Sequence, residues 1–272
     1  MGVLDGEHAF ITGGGSGIGL GAARAFVASG AQVTLCGRTA EKLKSAAAEL
    51  GDAAAIAVTD VGDEQDLAAS LAEANERVPL TIAVANAGVG GAAPFLATEL
   101  SEWERVMATN LTGAFLTLKL AGRYLAENGG GAMCAVSSIA GSTTHRFMTS
   151  YNTSKAGLEM LVRSAADELG SLGIRVNAVA PGLVETDISG GLRGDEAVAE
   201  DYRINMPLGR QGTVDDTGGA IRFLCGPESS WITGVVLPVD GGHHLRRGPN
   251  IDPLLSPFIS DLPPISPERG NT

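Results

Sequence analysis

The chain has 272 residues, 44% of them hydrophobic, and a formal net charge of −12. That length suits one large α/β domain with a substantial core, and the acidic balance argues against nucleic-acid binding, which depends on basic groups that neutralise phosphates. Glycines and charges interrupt every apolar run before it reaches the eighteen or so residues of a membrane span, and the N-terminus carries no basic-then-apolar secretory signal, so a soluble, cytosolic protein is expected.

In chain order, buried strands alternate with helices. Ala9-Phe10-Ile11-Thr12 reads as the first strand, and a glycine-rich turn leads into a helix through Ala22–Phe26. Strands follow at 32–36, 53–58 and 81–85, separated by helices at 40–50 and 63–75. A long helix is expected over 101–127, with Ser101 as N-cap and Glu104 completing a capping box. The second half gives strands at 133–137, 175–179 and 235–239, with helices at 151–171 and 214–225. Gly/Ser/Thr-rich stretches at 187–195 and 212–219 read as loops bounding a flexible insertion. Continuous apolar strands between helices imply a parallel sheet covered on both faces, a doubly wound single domain with no internal repeat.

The segment 243–272 differs. It holds Pro249, Pro253, Pro257, Pro263, Pro264 and Pro267, half of the twelve prolines, and so suits neither a helix nor a central strand. The division is therefore a domain over 1–242 and a proline-rich extension over 243–272. Leu254, Leu255, Phe258, Ile259 and Leu262 need cover, which favours an arm over residues 245–265 reaching a neighbouring subunit near its substrate loop; a disordered end is the competing reading.

Cys36, Cys134 and Cys225 lie far apart in apolar contexts and read as buried thiols in a reducing compartment. His8, His145, His243 and His244 lack ligand spacing, so no metal is expected.

Three motifs carry chemistry. Thr12-Gly13-Gly14-Gly15-Ser16-Gly17-Ile18-Gly19 sits between a strand and a helix, where backbone N–H groups of Ser16, Gly17 and Ile18 can face a pyrophosphate. Gly13 permits the tight turn, Gly17 the approach of the backbone to the phosphates, and Gly19 close helix–strand packing. Tyr151-Asn152-Thr153-Ser154-Lys155 places Tyr151 and Lys155 on one helix face, and Ser138 lies thirteen residues upstream of Tyr151. A Tyr-x-x-x-Lys pattern alone reads equally as a solvated helix face. The three together, in this order, resemble the short-chain dehydrogenase/reductase family over about residues 6–242.

That resemblance implies a Rossmann-type fold binding NAD(P)(H), and a tetrad of Asn110, Ser138, Tyr151 and Lys155. Tyr151 would be the general acid/base. Lowering its pKa by about three units takes roughly 4 kcal/mol, which Lys155 and an oxidised nicotinamide can supply. Ser138 would stabilise the substrate oxygen. Asn110 would bend the long helix and hold a water linking Lys155 to solvent; taken alone it reads as a helix-surface amide. Asp60 and Val61 resemble the pair that contacts adenine, and Asn86-Ala87-Gly88 the motif that lies along the cofactor. Pro181, Gly182, Val184 and Thr186 resemble the nicotinamide-side loop, and Tyr151 and Lys155 also border the cofactor.

At the end of the second strand, where an NAD enzyme places an acidic residue, the chain has Gly37 and Arg38. A guanidinium there pairs with a 2′-phosphate, so NADP(H) is expected, with NAD(H) as the alternative and a solvated charge as the competing reading of Arg38. The expectation is an oxidoreductase interconverting a ketone or aldehyde with an alcohol; a non-catalytic dinucleotide-binding protein is the alternative from another class. Ser142–Met148, residues 89–96 and the loop after Thr186 should line the substrate pocket. The family also implies a homodimer or homotetramer through the helices at 101–127 and 151–171, whose Leu111, Phe115, Leu118, Met160 and Leu161 supply apolar surface; core packing is the other reading.

Overall fold

The computed structural model describes residues 2–186, 189–190, 194–246, 251 and 254. Seven strands form one parallel sheet in the order β3-β2-β1-β4-β5-β6-β7: β1 His8–Thr12, β2 Gln32–Gly37, β3 Ala54–Val58, β4 Ile82–Ala85, β5 Gly131–Val136, β6 Ile174–Pro181 and β7 Val236–Val239. Parallel strands need crossovers, and the helices supply them. They are α1 Gly17–Ala28, α2 Ala40–Leu50, α3 Glu64–Arg77, α4 Leu100–Met107, α5 Gly113–Glu127, α6 Thr149–Leu169, α7 Glu196–Asn205 and α8 Val214–Cys225. The order of connection reverses between β1 and β4, which opens a crevice at the carboxyl ends of the strands, where this architecture binds ligands.

Alternation along each strand builds two cores. Ala9 and Ile11 face a cluster with Phe26 of α1, Leu43 of α2 and Ile221 of α8, while Phe10 faces the opposite cluster with Leu71 of α3, Leu118 of α5 and Val162 of α6. Burial on both faces is why the strands read as unbroken apolar runs.

Several helix boundaries correct the sequence reading. Helix α4 starts at Leu100 with Glu99 as N-cap and no side-chain cap bond, so the Ser101–Glu104 box does not form. The capping box is at α8, where Asp216 N–H donates to the Thr213 hydroxyl at 3.1 Å and Thr213 N–H to the Asp216 carboxylate at 2.8 Å. The single helix expected over 101–127 is interrupted by one π turn, Ala108–Thr112, which contains Asn110. The stretch 212–219 is mostly the first turns of α8, and α7 occupies part of what read as a flexible insertion. Leu118 is buried in the core, whereas Phe115 and Met160 are 45% and 58% exposed.

Of the residues invoked for the arm, Leu255, Phe258, Ile259, Leu262 and the six prolines lie outside the described residues. Ile251 and Leu254 pack against the chain's own Leu183, Tyr202 and Met206. Among the described residues, no helix is long and apolar enough to cross a membrane, and no cluster of three His, Cys, Asp or Glu is disposed to hold a metal.

Candidate active site

The glycine turn is shaped by backbone need. Gly13 has φ +65°, and a Cβ there would lie 2.7 Å from the Asn86 amide nitrogen; a Cβ on Gly19 would lie 2.4 Å from the Gly13 carbonyl oxygen. The turn is held from behind by Thr12 and Asn86. The buried Thr12 hydroxyl accepts from Asn86 N–H at 3.0 Å and Ala87 N–H at 3.1 Å and donates to Val84 C=O at 3.2 Å. The Asn86 amide donates back to Thr12 C=O at 2.8 Å and Gly13 C=O at 3.2 Å. Two adjacent strand ends are thereby locked together. Ser16 caps α1 without a side-chain bond, so the N–H groups of the first turn remain directed outward at the positive end of the helix dipole.

One cavity of about 570 Å³ runs from this turn across the sheet edge, and all but two of the sequence-derived site residues line it. Gly13, Ser16, Gly17 and Ile18 form its floor, with Arg38 and Asp60 at one end beside Val61. Asn86, Ala87 and Gly88 lie along its middle, and Ser138, Tyr151 and Lys155 face Pro181, Gly182, Val184 and Thr186 at the other end. Gly19 and Asn110 are the exceptions: both sit behind the wall. The cavity also takes in Thr39, Lys42, His145, Tyr202, Ile251 and Leu254. The expected pocket segment Ser142–Met148 contains His145. Tyr202 was missed because α7 read as loop.

Helix α6 presents Tyr151 and Lys155 one turn apart. Lys155 Nζ lies 5.7 Å from the Tyr151 ring centroid and donates to Val136 C=O, at the end of β5, at 2.7 Å. Burial holds the Lys155 ammonium down to about 8, because a charge taken out of water is disfavoured. Burial pushes the Tyr151 phenol up, and its hydrogen bond with Ser138 pulls it partly back. The phenol is therefore protonated at neutral pH and the ammonium is still largely charged. Ser138 stands at the mouth of β5, where its hydroxyl also accepts from Ala140 N–H at 3.2 Å.

Asn110 is buried and fully engaged. It accepts from Val89 N–H at 2.8 Å and donates to Val89 C=O at 3.0 Å and to the Ser154 hydroxyl at 3.1 Å. Its π turn joins the loop after β4 to α6, rather than leaving a surface amide. Arg38 and Asp60 are more than half exposed, and their charged groups lie 3.9 Å apart.

These features suit a dinucleotide: an anion-binding turn at a helix N-terminus, a cation at the adjoining end, and a long groove closing on a phenol–ammonium pair.

Residues 13–244 match the family model described as Enoyl-(Acyl carrier protein) reductase. Galactitol 2-dehydrogenase (L-tagatose-forming) of Cereibacter sphaeroides is 40% identical over 243 residues, covering 88% of this chain and 96% of that one. A short-chain type dehydrogenase/reductase from Mycobacterium ulcerans superposes with a TM-score of 0.91 at 35% identity, covering 95% of this chain and 97% of the other. A 7α-hydroxysteroid dehydrogenase solved with NADH and 7-oxo glycochenodeoxycholic acid superposes with a TM-score of 0.84 at 34% identity, covering 88% of this chain and 94% of the other.

Proposed function

The chain belongs to the short-chain dehydrogenase/reductase family of oxidoreductases, and from that premise we propose that it interconverts a ketone or aldehyde with an alcohol using NADP(H), with Tyr151 as general acid/base. The convergence of Tyr151, Ser138 and Lys155 at one end of the cavity carries this reading. The nicotinamide, when bound, supplies or accepts the hydride at the reacting carbon.

This chain's own groups handle the oxygen. The Tyr151 hydroxyl gives its proton to the developing alkoxide in reduction and takes it back in oxidation. The Ser138 hydroxyl donates to the same oxygen where negative charge grows. Lys155 stabilises the phenolate left behind, since its ammonium is anchored on Val136 C=O within one helical turn of the phenol. Asn110 keeps the π turn and Ser154 in place behind the pair. Burial alone raises the phenol, so the lowering that acid/base work needs falls to Lys155 and to the positive nicotinamide when it is bound.

Arg38 is the NADP(H) determinant in this reading, as a guanidinium at the ribose end with no carboxylate at position 37 or 38. The alternative, NAD(H), draws support from the Asp60 carboxylate near Arg38, and from the relative solved with NADH. The exposed Phe115 on α5 and Met160 on α6 support assembly of two or four copies through those helices.

Tyr151→Phe tests the reading. Turnover should fall below detection across a panel of ketones and alcohols while cofactor affinity stays within about threefold, because only the transferable proton is lost. Retention of wild-type kcat by the Phe variant refutes the mechanism.

A further inference from the structure

The family match ends at residue 244, yet two residues beyond it reach the substrate end of the cavity. Ile251 is 1% exposed and belongs to a small apolar cluster with Leu183, Val198, Tyr202 and Met206, separate from the two cores of the sheet; Phe147, Met148 and Leu254 pack against it. Leu254 N–H donates to Ile251 C=O at 3.1 Å, which holds the two residues together. The root of the segment is held as well. Arg246 donates to Ile204 C=O on α7, and the His243 ring sits edge-on to Tyr202 with centroids 5.4 Å apart. Across the cluster, Phe147 has φ +67°, the one positive value at a non-glycine position among the described residues. Its C=O accepts from Ala93 N–H at 2.8 Å, tying the two loops of the pocket together. A backbone in that region persists only when its surroundings demand it, and here it presents the Phe147 ring to the cluster.

The polar side chains lining this end are Ser189, His145 and Tyr202, beside the Ser138 and Tyr151 hydroxyls. The Ser189 hydroxyl donates to Val184 C=O at 2.6 Å, and His145 Nδ1 donates to Thr143 C=O at 3.0 Å. A ligand that presses several hydroxyls on Ile251, Leu254, Leu183 and Met148 leaves them without partners, whereas an alkyl surface gains by burial there.

We propose that Ile251 and Leu254 are specificity-determining residues of the proposed oxidoreductase site, forming an apolar far wall that seats a bulky alkyl or alicyclic ketone and disfavours small hydroxylated ones. The inference rests on the reading of the site given above and deepens it.

The test uses the full chain saturated with NADP⁺, or NAD⁺ if that binds more tightly, so that a ketone binds without reacting. Cyclohexanone and hydroxyacetone are titrated by ligand-observed saturation-transfer NMR. Wild type should bind cyclohexanone about tenfold more tightly than hydroxyacetone, and Ile251→Asn should remove about tenfold of the cyclohexanone affinity, the scale of a lost apolar group in a pocket. Hydroxyacetone and cofactor affinity should stay within about threefold. Leu254→Ala, which shortens a half-buried side chain, should lower cyclohexanone affinity about threefold, and it stands as the probe if Ile251→Asn loses cofactor binding. The wall is overturned if wild type prefers hydroxyacetone, if neither ketone binds, or if folded variants leave the ratio of the two affinities unchanged. Turnover is read separately: cyclohexanone that binds with this variant pattern and is not reduced by the paired reduced cofactor refutes the oxidoreductase reading and leaves the wall standing.

Discussion

Thr12→Val removes one oxygen from the heart of the site and keeps the shape. Thr12 is 1% exposed, and its hydroxyl joins three backbone groups at 3.0, 3.1 and 3.2 Å. Valine leaves Asn86 N–H, Ala87 N–H and one bond to Val84 C=O unmet. A buried group left unpaired costs about 1–3 kcal/mol, and because Asn86 and Ala87 border the cavity, where water can replace part of the loss, the sum should be about 2–4 kcal/mol. For a domain of this size that lowers Tm by about 5–12 °C. Thr12→Ser keeps the hydroxyl and loses a methyl group, which should cost about 1 kcal/mol. Urea and thermal unfolding of the three proteins, with cofactor titration alongside, measures the order. Wild type should be most stable, then Ser, then Val, and Val should also weaken cofactor binding because Asn86 holds the glycine turn. If Ser is more damaging than Val, or Val costs under about 0.5 kcal/mol, the hydroxyl is not what joins β1 to β4.

Arg38→Ala should weaken NADPH binding about 5- to 30-fold, a charge-assisted pair discounted for its exposure, and leave NADH within twofold; fluorescence titration of both cofactors decides, and equal losses support the NAD(H) reading. The Asp216 carboxyl is held well below the usual carboxylate range by Arg210 and by the Thr213 N–H. Its contribution is therefore fully present above its unfolded pKa of about 3.9 and is lost as pH falls through the lower folded value. Asp216→Ala should cost about 1 kcal/mol at pH 7, measured by urea unfolding, with the difference from wild type shrinking under strongly acid conditions. Cys36, Cys134 and Cys225 are all buried, and burial pushes the Cys36 thiol up to about 12. Iodoacetamide at pH 8 should leave all three unmodified in the native protein and label them in concentrated guanidinium, counted by mass spectrometry.

What was legible was what is local. The central strands could be placed because double-sided burial makes each a compact apolar run, as in Ala9–Thr12, and the half-buried edge strands β3 and β7 keep apolar runs of their own. Gly13, Tyr151 and Lys155 could be placed because the turn and the helix face act over a few residues. Helix starts were harder to read. Ser101 and Glu104 have the spacing of a capping box, but the chain enters α4 earlier, with Glu102 and Trp103 N–H groups both meeting Glu99 C=O at 3.1 Å. The box that forms uses aspartate at 216, outside the usual Ser/Thr-x-x-Glu/Gln pattern. Asn110 looked like a surface amide because its partners, Val89 and Ser154, come from other elements. Tyr202 was out of reach for the same reason, whereas Ile251 and Leu254 fall within the arm expected near a substrate loop; nothing near them in the chain says that they meet this chain's own cavity.

The apolar cluster around Ile251 shares no buried residue with the two cores that hold the sheet. Changes at sites without common partners add, so a substitution in this patch carries its own cost without compounding changes in the two cores of the sheet. Selection can therefore vary the far wall of the pocket, residue by residue, while the glycine turn and the tyrosine–lysine pair stay as they are. The segment past residue 244, where the family match ends, is where divergence between close relatives should accumulate first.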